Sequence, residues 1–282
     1  MTADTENPLG LPVAVVVGAT SKWQSDGRNT LLVRGAPVSD ADIPLSARWG
    51  VGGAISQKFA AAGYFVVMTT RTTANASGLC QAIVDQGGGG MVVELDLSDR
   101  LSIADAFDAI RRKAGPPEVL VYNAGYLEGR QLPPEKELLE HFPAEMFEVA
   151  IDVACRGPFL VAQEVLPAMR EAGRGSIFFT NNRSGLRGRK RRTGESLYYP
   201  RVMMRALAQA LAEEYSRYGV HVANITIDGV IDSPGTRDNP HYRAPLMDPS
   251  ELAEAFWYLH RQGRSCWTHE LQLTPAGATP SV

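Results

Sequence analysis

Residues 12–19 read Pro-Val-Ala-Val-Val-Val-Gly-Ala, an apolar run that stops on two of the smallest side chains. A half-exposed strand alternates apolar with polar residues; an unbroken run of this length fits a strand covered on both faces. Its end at Gly18-Ala19 is a place where backbone can turn tightly or approach a ligand closely.

The same pattern recurs outward from this stretch. Residues 64–69 (YFVVMT), 91–95 (MVVEL), 118–122 (EVLVY), 175–180 (GSIFFT) and 219–227 (GVHVANITI) read as further strands, and 269–273 as a seventh. Between them, residues 52–62, 101–114, 143–171, 201–218 and 249–262 have helical spacing, with Gly63 stopping the first helix and Pro158 and Pro167 as bends in the third. Doubly buried strands separated by helices imply parallel pairing with right-handed crossovers. The expected fold is therefore α/β, a single-domain, doubly wound, Rossmann-type parallel sheet spanning residues 1–282. Ligands of such sheets bind beyond the C-terminal ends of the strands.

Composition narrows the function. The 282 residues carry 28 Lys+Arg against 31 Asp+Glu, and 44% are hydrophobic. That balance excludes a disordered chain and a protein built mainly to grip nucleic acid. No apolar run reaches the roughly 18–20 residues of a membrane helix. Three widely spaced cysteines, Cys80, Cys155 and Cys266, make neither a disulfide framework nor a metal pair, and the polar start MTADTENPLG is unlike a signal peptide. A reducing, cytoplasmic setting is expected. The five histidines show no metal-ligand spacing, so no metal site is expected.

A strand running into Gly18-Ala19 opens a phosphate-binding turn, but the next glycines, Gly50 and Gly52 around Val51, stand directly before the following helix. The first two glycines are 32 positions apart, where this type of loop has about four. Residues from about 20 to 48 read as an insertion in the glycine loop, holding Trp23 with Trp49 at its end. The glycines can bring backbone against a pyrophosphate whose charge meets the helix N-terminus; they can equally only pack helix on strand. The second strand ends at Thr70-Arg71 with no acid for a ribose hydroxyl. An Arg there fits the 2′-phosphate of NADP, so NADP(H) is expected over NAD(H); a solvated strand-end Arg is the other reading. Asp96-Leu97 is placed to meet an adenine ring, or Asp96 caps the next helix.

Together these residues resemble the short-chain dehydrogenase/reductase family, over almost the whole chain. The resemblance rests on Gly18…Gly50-Val51-Gly52, Asp96-Leu97, Asn123-Ala124-Gly125, Asp152-Val-Ala-Cys-Arg-Gly-Pro-Phe, the helix end Leu211-Ala-Glu-Glu214, and Asp228-Gly229-Val-Ile231-Asp-Ser233. It implies a dinucleotide held by Gly18, Ala19, Gly50, Val51, Gly52, Arg71, Asp96, Leu97, Asn123, Ala124, Gly125, Arg201, Gly229 and Ile231. It also implies a homodimer or homotetramer formed through the long helix and the Arg201 helix. The family's chemistry uses a Tyr-x-x-x-Lys pair, a Ser that meets the carbonyl, and an Asn in a proton relay. Counting back from Leu211 puts Arg201 at the Lys position and Leu197 at the Tyr position; Asn182 stands for the Ser, with Ser184 a weaker choice, and Ala154 for the Asn. Tyr198 and Tyr199 adjoin Leu197 and are the acid/base candidates, or else packing residues. Arg201 keeps a charge for a ribose or a phenol.

Arg187-Gly-Arg-Lys-Arg-Arg192 puts five cations in six positions, before the Arg201 helix. It reads as a solvated loop or as a seat for an anionic small-molecule substrate, to which Arg130, Arg183 and Arg237 add. Two functions stand. One is an NADP-dependent oxidoreductase passing hydride to or from a carbonyl/alcohol or conjugated alkene. The other is a protein of the same fold that has lost hydride transfer and performs a cyclisation, isomerisation or elimination, or only binds nucleotide.

Overall fold

Every residue of Val13–Val17 (β1) is buried, as an unalternating apolar run requires of a strand packed on both faces. In the computed structural model, which describes residues 6–7, 9–20, 43–125, 139–186, 199–234, 236–237 and 245–281, β1 lies inside a seven-stranded sheet. The other strands are Phe65–Thr70 (β2), Gly89–Glu94 (β3), Pro117–Tyr122 (β4), Gly175–Asn182 (β5), Val220–Ile227 (β6) and Glu270–Leu273 (β7). Their order is β3-β2-β1-β4-β5-β6-β7 and every pairing is parallel. The direction of winding reverses between β1 and β4, which opens a crevice past their C-terminal ends.

The helices are Leu45–Arg48 (α1), Gly50–Ala61 (α2), Ala74–Asp85 (α3), Arg100–Lys113 (α4), Ala144–Ile151 (α5), Gly157–Ala172 (α6), Tyr199–Tyr215 (α7) and Pro249–His260 (α8). One face of the sheet packs against α4, α6 and α7, through residues such as Phe107, Val165 and Met204. The other packs against α2, α3 and α8, through Ile55, Leu79 and Phe256. Each such fully buried side chain contributes about 1.5–3 kcal/mol. The sequence does not flag α3, although Ala76, Leu79, Cys80 and Ile83 fall at i, i+3, i+4, i+7 and form its buried face. No helix among the described residues is long and apolar enough to cross a membrane.

The long helix expected over 143–171 is continuous but changes register at Asp152–Arg156, where it widens into a π turn. Gly157 N–H donates to Asp152 O across this turn. The next carbonyl, Val153 O, would then need the N–H of residue 158, which is proline. Pro158 has no such donor, and the Tyr122 hydroxyl supplies it at 2.5 Å. The widened turn also spares the proline ring a clash with the preceding carbonyl.

Opposite the crevice, at the N-terminal edge of the sheet, a polar chain runs between strands. Ser176 Oγ lies 2.9 Å from His260 Nδ1, and His260 Nε2 lies 2.6 Å from Tyr64 Oη, which donates to Glu118 at 3.1 Å. Nearby, His221 stacks on Trp267 and bonds the Thr268 carbonyl. Burial lowers the pKa of both His260 and His221, against the Glu118 charge and the Thr268 bond respectively. An unfolded chain takes up protons near pH 6.5 that these two rings refuse when folded. Stability is therefore full above about pH 6.5 and falls as pH drops below it. Urea midpoints between about pH 7.5 and 5.5 are expected to decline, and His260→Gln with His221→Gln to flatten that slope.

Candidate cofactor and active site

The crevice is floored by backbone held at very short range. Gly18 leaves β1 at φ +79°, and its N–H and that of Ala19 both reach the Thr69 carbonyl at 3.2 Å. Asn123 follows β4; its N–H bonds Val17 O at 2.8 Å and its Nδ2 donates to Gly18 O at 2.9 Å. A Cβ on Gly18 would lie 2.6 Å from the Ala124 Cα, and one on Gly52 would lie 2.5 Å from Gly18 O. Gly50, at φ +69°, opens α2. Gly18 and Gly52, 34 positions apart, therefore pack backbone to backbone where β1 meets the first turn of α2. Residues 21–42, which fall within the expected insertion, lie outside the described residues. At its far end Trp49 is buried against Gly53, with the Arg48 guanidinium 5.8 Å from its ring centroid.

One end of the crevice carries charge. Arg71, just past β2, is exposed and close enough to act on Asp96, just past β3. Burial pushes the Asp96 carboxyl up, but the Ser98 N–H and O–H bonds and the Arg71 charge outweigh it and hold the pKa below the ordinary value. Asp96 does not cap the following helix; Asp99 does, accepting Leu101 N–H at 2.9 Å. The Leu97, Val51 and Ala19 side chains are core members, so only their backbone faces the crevice.

At the other end stands Arg201, in the first turn of α7. Its guanidinium lies over Gly125, where a Cβ would come 2.5 Å from Nη2. Its carbonyl accepts from Asn181 Nδ2 at 3.0 Å, and the same amide reaches Asn224 Oδ1 at 3.2 Å. Asn224 in turn donates to Glu270, whose other oxygen takes Arg205 and Gln209 of α7. Helix α7 is thus tied to β5, β6 and β7 at both the Arg201 turn and the Arg205–Gln209 turn. Below Arg201 lies Tyr122, whose phenol burial drives well above its ordinary pKa while the Arg201 charge opposes the rise. Gly157 is required there, because a Cβ would come 2.7 Å from the Tyr122 oxygen.

Asn182 is the last residue of β5, paired with Ile227, rather than a turn residue. Gly229 and Ile231 follow β6, with Ile231 bridged to Met247. Arg183 opens a short 3-10 turn, and Arg237 is paired through two nitrogens with Asp232. Tyr198, Leu197, Arg130 and the basic segment 187–192 lie outside the described residues; Tyr199 opens α7. Among the described residues no cluster of three or more His, Cys, Asp or Glu could hold a metal ion. Asn181, Asn224, Glu270 and Tyr122 escaped the sequence reading. An Asn inside the apolar run VHVANITI was their one signal, since a buried amide in a strand needs bonded partners.

The profile of the family described as short chain dehydrogenase matches residues 45–242. An uncharacterized oxidoreductase of Staphylococcus saprophyticus is 25% identical over 236 residues, covering 83% of this chain and 96% of its own. The 3-oxoacyl-[acyl-carrier-protein] reductase MabA of Mycobacterium tuberculosis is 31% identical over 200 residues, covering 71% of this chain and 72% of its own. Among solved structures, a metagenomic short-chain oxidoreductase in complex with NADP superposes with a TM-score of 0.70 at 23% identity, covering 97% of this chain and 100% of that one.

The close packing at Gly18 sets an expected outcome. Gly63 also has positive φ, +90°, but open space around it. Gly63→Ala should cost about 1–2 kcal/mol for the left-handed backbone alone. Gly18→Ala should cost about 1–3 kcal/mol more, from the overpacked Ala124 contact. Urea denaturation of the two variants checks the difference; equal losses would overturn the close-packed turn.

Proposed function

The chain belongs to the short-chain dehydrogenase family, and we propose that it is an NADP-dependent oxidoreductase transferring hydride between a nicotinamide and a carbonyl/alcohol or conjugated alkene. The observation that carries this reading is the cradle of Gly18, Gly52 and Asn123, continued by the Arg201 guanidinium over Gly125. The glycines let the β1 turn, α2, the Asn123 loop and the Arg201 side chain pack within about van der Waals contact of one another, the close backbone approach on which a dinucleotide turn is built.

Each group has a part in the proposal. Gly18, Ala19, Gly50, Val51 and Gly52 present backbone, and the first N–H groups of α2 add positive potential for the pyrophosphate. Arg71 would take the 2′-phosphate and Asp96 would lie on the adenine side; a metagenomic oxidoreductase of the same fold is in complex with NADP. Asn123, Ala124 and Gly125 form the floor, and Gly229 with Ile231 border the nicotinamide. When bound, the dinucleotide supplies the hydride. Arg201 holds a ribose hydroxyl and its field favours an ionised phenol nearby; its permanent charge bars it from passing protons. Tyr198 or Tyr199 holds the proton that moves at the substrate oxygen or carbon, and Asn182 donates to the carbonyl as a Ser would.

Leu197 and Ala154 stand where the family places its Tyr and relay Asn. They favour a second reading, in which nucleotide is bound without redox turnover. The basic segment 187–192 suits an anionic substrate in either case. Phe159 on α6 and Met203 on α7 are about half exposed, which suits pairing of these helices between subunits of a homodimer or homotetramer.

Titration with NADPH and NADH, followed by reduced-nicotinamide absorbance over a panel of carbonyls and enones, separates the readings. Arg71→Ala should weaken NADPH about tenfold more than NADH, the loss of one charge-assisted contact. Tyr198→Phe or Tyr199→Phe should lower kcat about 10²–10⁴-fold if that phenol is the acid/base group. Full activity in both removes the pair, and tight binding without turnover across the panel favours the non-redox reading.

A further inference from the structure

Asp228 stands between β6 and Gly229, and the chemistry described so far gives it no part. Its carboxylate is buried. Three donors reach it: Ser281 N–H at 2.6 Å and Gln272 Nε2 at 2.9 Å on Oδ2, and Ser281 Oγ at 2.8 Å on Oδ1. All three are uncharged, and Ser281 engages both carboxylate oxygens from 53 residues away. Residues 274–281 are thereby strapped across the loop that leaves β6.

The strap bears on that loop's backbone. Asp228 N–H continues the ladder to Leu273 O at 2.8 Å. Gly229 is pressed between the Pro275 ring and the Met247 sulfur, which a Cβ would meet at 2.9 and 2.5 Å. Met247 N–H bonds Val230 O and Met247 O takes Asp232 N–H. In a parallel bridge of this kind the N–H and C=O of Ile231 face away from Met247, and the carbonyl accepts the Thr236 hydroxyl at 2.6 Å. The direction of the Ile231 peptide thus depends on a loop held from both sides, by Met247 and by the strap.

We propose that Asp228 is a positioning residue: by latching Ser281 it fixes the Gly229–Ile231 peptides on the nicotinamide side of the crevice, and so tightens binding of the nicotinamide half of a dinucleotide. The proposal rests on the dinucleotide reading above. A buried carboxylate requires its donors, so the loop and the strap hold or open together. The adenine half, bordered by Arg71, Asp96 and the Gly18 turn, lies on other elements and is outside the latch.

The test compares whole cofactors with their adenine halves by calorimetry: NADPH against 2′,5′-ADP, and NADH against 5′-ADP. The proteins are the full chain, Ser281→Ala, Asp228→Asn, and a chain ending at residue 277. The latch is expected to show as a loss of about tenfold for the whole dinucleotide in the chain ending at 277, of the order of one hydrogen bond to a charged acceptor. A smaller loss in the same direction is expected for Ser281→Ala, with the adenine halves unchanged in both. Asp228→Asn adds to the comparison if it folds; the other two variants leave the carboxylate in place and decide the question without it. Equal loss for whole and half ligands, or no loss for either, overturns the latch. A full chain that binds none of the four ligands overturns the dinucleotide reading and the latch with it.

Discussion

One side-chain hydrogen bond extends the pairing of the two strands between which the sheet reverses its winding. Asn123 Nδ2 donates to Gly18 O, so the residue after β4 grips the residue after β1. A parallel sheet leaves strand-end carbonyls unpaired at such a reversal, and a buried carbonyl without a donor is costly. The Asn side chain meets that need and sets the width of the crevice. Gly52 and Ala124 then have no freedom, because their backbones touch the bonded pair. Everything else in the site is placed relative to this junction: α2 on one side, Arg201 over Gly125 on the other.

The second constraint is the anchoring of α7. Its Arg201 carbonyl is held by a buried Asn of β5, and its next turns by a glutamate on the edge strand β7. Arginine is a long, flexible side chain whose ordering carries an entropic cost. Fixing the backbone beneath it at two turns reduces what remains to be ordered. The floor under the guanidinium is equally built, since Tyr122 completes the hydrogen bonding of a π turn that a proline has left one donor short.

The strands were the most legible part of the sequence. Unbroken apolar runs such as 12–17 and 118–122 fix strand identity and burial, and their alternation with helices fixes the parallel pairing. Gly50 and Gly52, expected directly before a helix, instead lie in the first turn of α2. Helix α3 was not legible, although Ala76, Leu79, Cys80 and Ile83 line one face of it. The π turn was signalled only as a proline bend. The networks through Asn181, Asn224, Glu270 and Asp228 join residues from about twenty to more than fifty positions apart, a relation no local pattern carries. The acid/base group is the open part of the site, since Tyr198 lies outside the described residues and Tyr199 is placed only as the first residue of α7.

The turn that joins Gly18 to Gly50 also bears on how this chain tolerates change. Its two sides are held together by Asn123 and by direct backbone packing, not by the length of chain between them. Closing a longer loop costs only about 0.6 kcal/mol per doubling of length. Going from about four residues to about thirty is three doublings, or about 2 kcal/mol. The length of this connection is thus a modest cost, but its near end is part of the core, since Ile43, Ala47 and Trp49 are buried; foreign sequence such as a reporter peptide would have to enter before residue 43.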